Sequence, residues 1–242
     1  MRYVFLTGTN RGLGQAAAET FKDSKIISIT RSAVEESENI HKAFSVDFSN
    51  ADAMEKFIPE IFNSVEPDET DEVYLLNVAG IVDPVKSVSN ISAEEMMKNY
   101  TVNVVAPTLL IQGFINRFKT FGGEKRIVTV TSGAARGPVE GWSIYCSSKA
   151  AVNMIHSVLD KENISQKNNI KSAVFYPGVI DTGMQETIRA SDINEFPDLG
   201  RFKEYKENKV LRRAEEVAAA LHTVVTLDDF GSEASYDVKD YV

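Results

Sequence analysis

Residues 2–14 read Arg2-Tyr3-Val4-Phe5-Leu6-Thr7-Gly8-Thr9-Asn10-Arg11-Gly12-Leu13-Gly14. The run Arg2–Thr7 is strand-like, and an amphipathic stretch near 12–22 follows the glycines. Gly8 permits a tight turn. Gly12 lets the backbone approach a pyrophosphate, and Gly14 lets helix and strand pack closely. The helix N-terminus offers free N–H groups and the positive end of its dipole to phosphate. The spacing is GxxxGxG, not GxGxxG. Its position directly after the first strand favours a phosphate cradle over a plain turn.

The same alternation continues outward. Apolar runs lie at Lys25–Thr30, Ala43–Val46, Glu72–Leu76, Arg126–Thr131 and Ile170–Tyr176, with a short candidate strand at Ala234–Val238. Helical stretches lie between them, near 51–64, 93–118, 143–165 and 214–226. Strands apolar on both faces and separated by helices predict a parallel sheet covered on each side. The expected fold is therefore α/β: a single-domain, Rossmann-like, doubly wound parallel sheet spanning 1–242. One stretch breaks the rhythm. Residues 181–213 are long and polar, with Pro197 and Gly200 inside, and read as an irregular lid over the site.

Composition narrows the function. The 242 residues are 43% hydrophobic and 25% charged, which suits a globular protein rather than a disordered one. A net charge of −9 argues against nucleic acid and against anionic membranes as partners. No apolar run approaches the ~20 residues of a membrane span. A single cysteine, Cys146, rules out an internal disulfide and reads as an inert buried thiol. The N-terminal run lacks the length and cleavage site of a signal peptide, so a cytoplasmic protein is expected. His41, His156 and His222 lack metal-ligand spacing, so no metal site is expected.

The second strand ends Ile29-Thr30-Arg31-Ser32, without the acid that usually accepts from the ribose of NAD. A guanidinium pairs bidentately with a 2′-phosphate, and a serine adds a further bond. Arg11 supplies a second charge. The expected cofactor is NADPH/NADP+.

The fifth strand ends in Ser132. Tyr145 follows thirteen residues later, and Lys149 four after that. On a helix, Tyr145 and Lys149 share one face a turn apart. A phenol with pKa near 10 is a poor acid or base at neutral pH. A nearby ammonium and an oxidised nicotinamide favour its phenolate. Tyr145 would then protonate a carbonyl oxygen as hydride reaches the carbon, with Ser132 holding that oxygen. A Y-x-x-x-K match alone is a common accident. A glycine turn after strand 1, a strand-end serine and this pair together are not.

These residues resemble the short-chain dehydrogenase/reductase family along nearly the whole chain. The matching motifs are Thr7–Gly14, Asn77-Val78-Ala79-Gly80, Asn103, Ser132, Tyr145-x-x-x-Lys149 and Pro177-Gly178. Val78 stands where the family usually has a second asparagine. The resemblance implies that Asp47 and Phe48 contact the adenine, and that Asn77, Ala79 and Gly80 lie by its ribose. It implies that Asn10 and Leu13 join the glycines at the cofactor, that the Ile180 backbone grips the carboxamide, and that the Thr182 hydroxyl contacts the carboxamide or a phosphate. It makes Ser132, Tyr145, Lys149 and Asn103 the catalytic set, with Lys149 also on the nicotinamide ribose and Asn103 ordering a relay water.

Within the family, residues 1–14, 132–154 and 177–185 are similar to bacterial benzil reductases forming (S)-benzoin, which are themselves similar to sepiapterin reductases, and residues 231–237 are similar to the sepiapterin reductase tail. Both take a vicinal diketone or its equivalent to a hydroxyketone. The expected substrate is a small carbonyl compound of the aromatic diketone type, with a pterin diketone as the alternative. A non-catalytic NADPH sensor is the alternative from another class, disfavoured by the intact Ser–Tyr–Lys set. Trp142, Met184, Pro138 and Val139 are candidate walls of an aromatic pocket. Asp237 matches the carboxylate that anchors the pterin in sepiapterin reductases. Apolar stripes on helices 93–118 and 143–165 imply, by the same resemblance, a homodimer or a homotetramer.

Overall fold

The computed structural model describes residues 1–242. Its strands are β1 (Arg2–Thr7), β2 (Lys25–Thr30), β3 (Ile40–Ser45), β4 (Glu72–Asn77), β5 (Glu124–Val130), β6 (Ile170–Tyr176) and β7 (Ser235–Asp237). All pair in parallel, in the order β3-β2-β1-β4-β5-β6-β7. The helices are α1 (Gly12–Thr20), α2 (Ala51–Phe62), α3 (Ala93–Tyr100), α4 (Ala106–Phe118), α5 (Ser143–Gln166), α6 (Gly183–Arg189), α7 (Leu199–Glu207) and α8 (Ala214–Val225). No helix is long and apolar enough to cross a membrane.

Strand residues alternate between two cores, as the period of two requires. Val4, Leu6, Tyr74, Leu76, Val128 and Val130 pack with α1 and α8. Phe5, Ile27, Val73, Leu75 and Ile127 pack with α2, α4 and Leu159 of α5. On that second face the Phe5 ring lies 4.8 Å from Phe62 and 5.9 Å from Phe118. Each such side chain contributes about 1.5–3 kcal/mol by leaving water. The chain winds from β1 out to β3, then restarts at β4 on the other side of β1. This reversal opens a crevice at the C-terminal ends of β1 and β4, the place where ligands bind in such sheets.

Two segments depart from the sequence reading. The stretch 93–118 is not one α-helix. Residues Thr101–Val105 form a π-turn in which the Ala106 N–H reaches the Thr101 carbonyl. Pro107 has no N–H with which to continue the α-helical ladder there. The expected irregular stretch, 181–213, holds α6 and α7. Its polarity is that of one exposed face, while Ile188, Phe196, Leu199 and Phe202 are buried beneath.

Helix α5 is tied to the sheet by buried polar groups. The His156 Nε2 lies 2.8 Å from the Thr129 hydroxyl, which also accepts from Asn77 at 3.3 Å. Burial holds the His156 imidazole down at a pKa of about 4. Since its unfolded value is near 6.5, the folded state binds fewer protons between those values. Stability is therefore full above pH 6.5 and falls as pH drops toward 4. His156→Gln, which keeps a hydrogen-bonding group, should remove on the order of 3 kcal/mol of that acid-induced loss. Urea unfolding of both proteins at pH 7 and pH 4.5 measures the difference.

Candidate active site

The crevice continues into a cleft of about 800 Å³. At its floor, the Thr7 hydroxyl accepts from the Val78 and Ala79 N–H groups at 2.8 and 2.9 Å. That bond fixes the end of β4 against β1. Helix α1 starts so close to β1 that a Cβ on Gly14 would lie 2.2 Å from the Gly8 carbonyl oxygen. Gly8 itself has φ +79, where other residues are strained. The first turn of α1 holds no acid, and no side chain caps it. Its N–H groups are left for an anion.

Gly8, Asn10, Arg11, Gly12, Leu13 and Gly14 all line this end, as do Ala79 and Gly80. Arg31, Asp47 and Phe48 line it further out. The Asp47 carboxyl is held below its usual range by the Ser49 N–H and hydroxyl, with Arg31 and Lys98 adding positive charge. Cations along the cleft are Arg11, Arg31, Lys98, Lys149, Arg201 and Arg212, against Asp47 and Asp83. A strongly acidic chain thus presents a positive cleft. The uncapped helix start, the glycine-cleared backbone and these cations fit a dinucleotide laid across the ends of β1 and β4.

The other end holds Ser132, Tyr145 and Lys149. Ser132 follows β5, and its hydroxyl accepts from the Ala134 N–H at 3.2 Å. Tyr145 and Lys149 are buried on one face of α5. The Lys149 ammonium donates to the Val130 carbonyl at 3.0 Å and lies 5.9 Å from the Tyr145 ring centre. Burial lowers the Lys149 pKa to about 8. Burial also pushes the Tyr145 phenol up, while contact with Ser132 pulls the other way. Behind them Asn103 sits in the π-turn. Its amide oxygen accepts from the Ile81 N–H at 2.9 Å, and its amide nitrogen donates to the Ile81 carbonyl at 2.8 Å and to Ser148 at 3.2 Å. Gly80 leaves the gap: a Cβ there would stand 3.1 Å from the Asn103 oxygen and 3.4 Å from the Lys149 nitrogen.

Pro177, Gly178, Ile180 and Thr182 line the third side, after β6. The Asp181 N–H donates to the Arg212 carbonyl at 2.9 Å, and the Arg212 N–H to the Val179 carbonyl at 2.9 Å. Both ends of the lid are thereby joined beside the cleft. Trp142, Met184, Pro138 and Val139 also line the cleft. The Trp142 ring stands edge-on to Tyr145 at 5.3 Å and lies flat on Phe196 at 5.3 Å. Cys146 is half-buried against this cluster, less enclosed than the sequence reading had it.

Four expected residues are placed elsewhere. Ser32 is exposed and outside the cleft. Asn77 is buried within β4, bonded to Thr129. Asn103 backs the cleft without lining it. Asp237 lies in a separate recess, its carboxylate 2.8 Å from Arg136 and 3.9 Å from Lys239. The short β7 carries it to the far side of Arg136, whose guanidinium covers the Tyr176 ring at 3.5 Å. Residues missed by the sequence reading include Lys98, Arg201, Phe202 and Arg212. A signal existed for part of this: Phe196, Leu199, Phe202 and Tyr205 recur every third residue in a polar stretch, a helical stripe.

A parallel sheet with a glycine turn at its switch point and a buried Ser–Tyr–Lys set defines a class. The chain belongs to the short-chain dehydrogenase family, whose model matches residues 2–193. It is an oxidoreductase of that family, which works with nicotinamide cofactors. Among individual proteins, it is 33% identical over 246 residues to the benzil reductase ((S)-benzoin forming) of Bacillus subtilis, covering 100% of both chains. It is 28% identical to sepiapterin reductase of Rattus norvegicus, over 97% of this chain and 95% of that one. A solved short-chain dehydrogenase/reductase of Saccharomyces cerevisiae has the same fold, with a TM-score of 0.84 at 21% identity, over 99% of this chain and 97% of its own.

The buried Lys149 costs stability. Its folded pKa is about 8, against an unfolded value near 10.4. The penalty is full below pH 8 and fades as pH rises toward the unfolded value. Lys149→Met should raise Tm by roughly 5 °C at pH 7, less at pH 9.5, while abolishing turnover. Scanning calorimetry at both pH values measures it.

Proposed function

We propose that the protein is an NADPH-dependent carbonyl reductase that converts one carbonyl of an aromatic vicinal diketone, benzil to (S)-benzoin in type, to a hydroxyketone. The observation that carries this is the meeting of Tyr145 with an aromatic wall: the phenol that would protonate the carbonyl stands 5.3 Å from the Trp142 ring. A reduced nicotinamide bound in the cleft supplies the hydride. Ser132 orients the carbonyl oxygen. Tyr145, kept neutral by burial, donates its proton to that oxygen as negative charge develops there. The Lys149 ammonium stabilises the phenolate left behind, and Asn103 holds the backbone at Ile81 around them.

Likeness to benzil reductase across the full chain supports the diketone. Arg31, with Arg11 at the helix start, supports the 2′-phosphate of NADPH. Asp237 stands paired with Arg136 outside the cleft, which argues against the pterin anchor and so for the aryl diketone. A proton donor set of this kind has no use in a mere sensor. Exposed Met97 on α3, Val105 at the end of the π-turn, and Met154 and Val158 on α5 support a homodimer in the same reading. Light scattering would report its mass.

The direct test follows NADPH absorbance with benzil and sepiapterin side by side. Wild type should turn over benzil with the higher kcat/KM. Tyr145→Phe should lower that value about 10²–10⁴-fold. Turnover of sepiapterin alone would reverse the substrate assignment. Arg31→Ala should reduce the preference for NADPH over NADH about 10–100-fold, the loss of a charge-assisted bond. Equal use of both cofactors by wild type would overturn the NADPH reading.

A further inference from the structure

We propose that Glu195 is a positioning residue that sets the substrate preference of the cleft, by locking the aromatic wall behind Trp142. The substrate side of this inference rests on the diketone reading above.

Glu195 lies between α6 and α7 and does not line the cleft. Its carboxylate reaches across to the loop that follows β4. One oxygen accepts from the Ser87 N–H at 2.8 Å, and the other from the Asn90 amide at 2.5 Å. No cation pairs with it, so these two donors hold the charge. Bonds to an ionised acceptor are about twice as strong as neutral ones.

Its backbone meets a third segment. Gly141 has φ +78, and a Cβ there would lie 2.6 Å from the Glu195 carbonyl oxygen. The Gly141 carbonyl in turn accepts from the Lys86 N–H at 2.9 Å. The loop after β4, the turn before α5 and the segment between α6 and α7 are therefore knotted at one point.

The two residues flanking this knot build the wall. Phe196, next to Glu195, is fully buried and lies flat on Trp142 with an 8° angle between rings. Trp142, next to Gly141, presents its ring to Tyr145 at 80°. Phe202 packs on both, at 5.2 Å from Trp142 and 5.4 Å from Phe196. The Phe196 ring has no polar atom of its own to fix its place. The Phe196 backbone is held in a local turn by bonds to the Asp192 carbonyl and from the Leu199 N–H, and the neighbouring carboxylate is what ties that turn to the loop after β4. Loosening Glu195 frees the Phe196 ring, and with it the angle at which Trp142 faces a substrate ring beside Tyr145. A substrate with methyl groups in place of aryl rings does not need that wall.

Two readouts test this. The first is independent of substrate, because Trp142 is the chain's single tryptophan. In Glu195→Ala its emission should shift to the red, and acrylamide quenching should rise about threefold, as expected of a wall that opens locally. Glu195→Gln keeps one acceptor and should fall between the two proteins. The second readout compares benzil with butane-2,3-dione. Glu195→Ala should raise KM for benzil about tenfold. It should leave kcat for benzil, KM for butane-2,3-dione and the NADPH Kd within about twofold of wild type.

Unchanged quenching in Glu195→Ala overturns the positioning role. An equal loss with both diketones overturns the selective one and makes Glu195 a general fastening. If wild type turns over neither diketone, the function reading and the substrate preference fall together. The quenching result then decides alone whether Glu195 locks the wall.

Discussion

Everything at the site depends on how closely α1 approaches β1. Gly14 sits against the Gly8 carbonyl with no room for a Cβ. That contact brings the start of a helix, with its unsatisfied N–H groups, to the mouth of a sheet whose strands all end on the same side. A side chain at Gly14 would push the helix away and widen the very gap a pyrophosphate spans. The Thr7 hydroxyl completes the arrangement by drawing β4's end to β1. The two halves of the sheet then share one floor.

On that floor the protein balances burial against charge. Lys149 and Tyr145 are both buried, and burial alone makes each neutral form easier. The Val130 carbonyl and the turn of α5 between them keep the ammonium close enough to matter to a phenolate yet not in contact with the ring. Asn103 does a related task with backbone: it fills both hydrogen-bonding sites of Ile81 from a turn with one residue too many for an α-helix. Rigidity here comes from satisfied polar groups as much as from packing.

The order of strands and helices was legible because parallel strands are apolar on both faces and short. Three strands keep the bounds read from sequence. The meeting of Ser132, Tyr145 and Lys149 in one cleft was legible because they stand at strand end and helix start, positions that periodicity locates. Other features were hidden for physical reasons. The π-turn leaves no mark in apolar spacing, since Val102, Ala106 and Leu110 still recur at four. The lid's helices were masked by exposed charge around a stripe of Phe196, Leu199 and Phe202. Asp237 was misplaced because its position in the chain says nothing of Arg136, 101 residues away, which holds it.

The π-turn also bears on how this chain can change over time. A helix with a π-turn carries one residue more than a regular ladder needs, and removing one residue would restore that ladder. The repaired helix would turn all that follows by about 100° relative to what precedes it. Asn103 and the buried face of α4 could then no longer both keep their partners. Length is therefore constrained from α3 through α4, where the chain is otherwise ordinary helix. Between β6 and α8, Val179 and Asp181 are stitched to Arg212 and Glu195 is fastened to Ser87 and Asn90, so spare length is confined to exposed places such as the turn at 208–210 after α7.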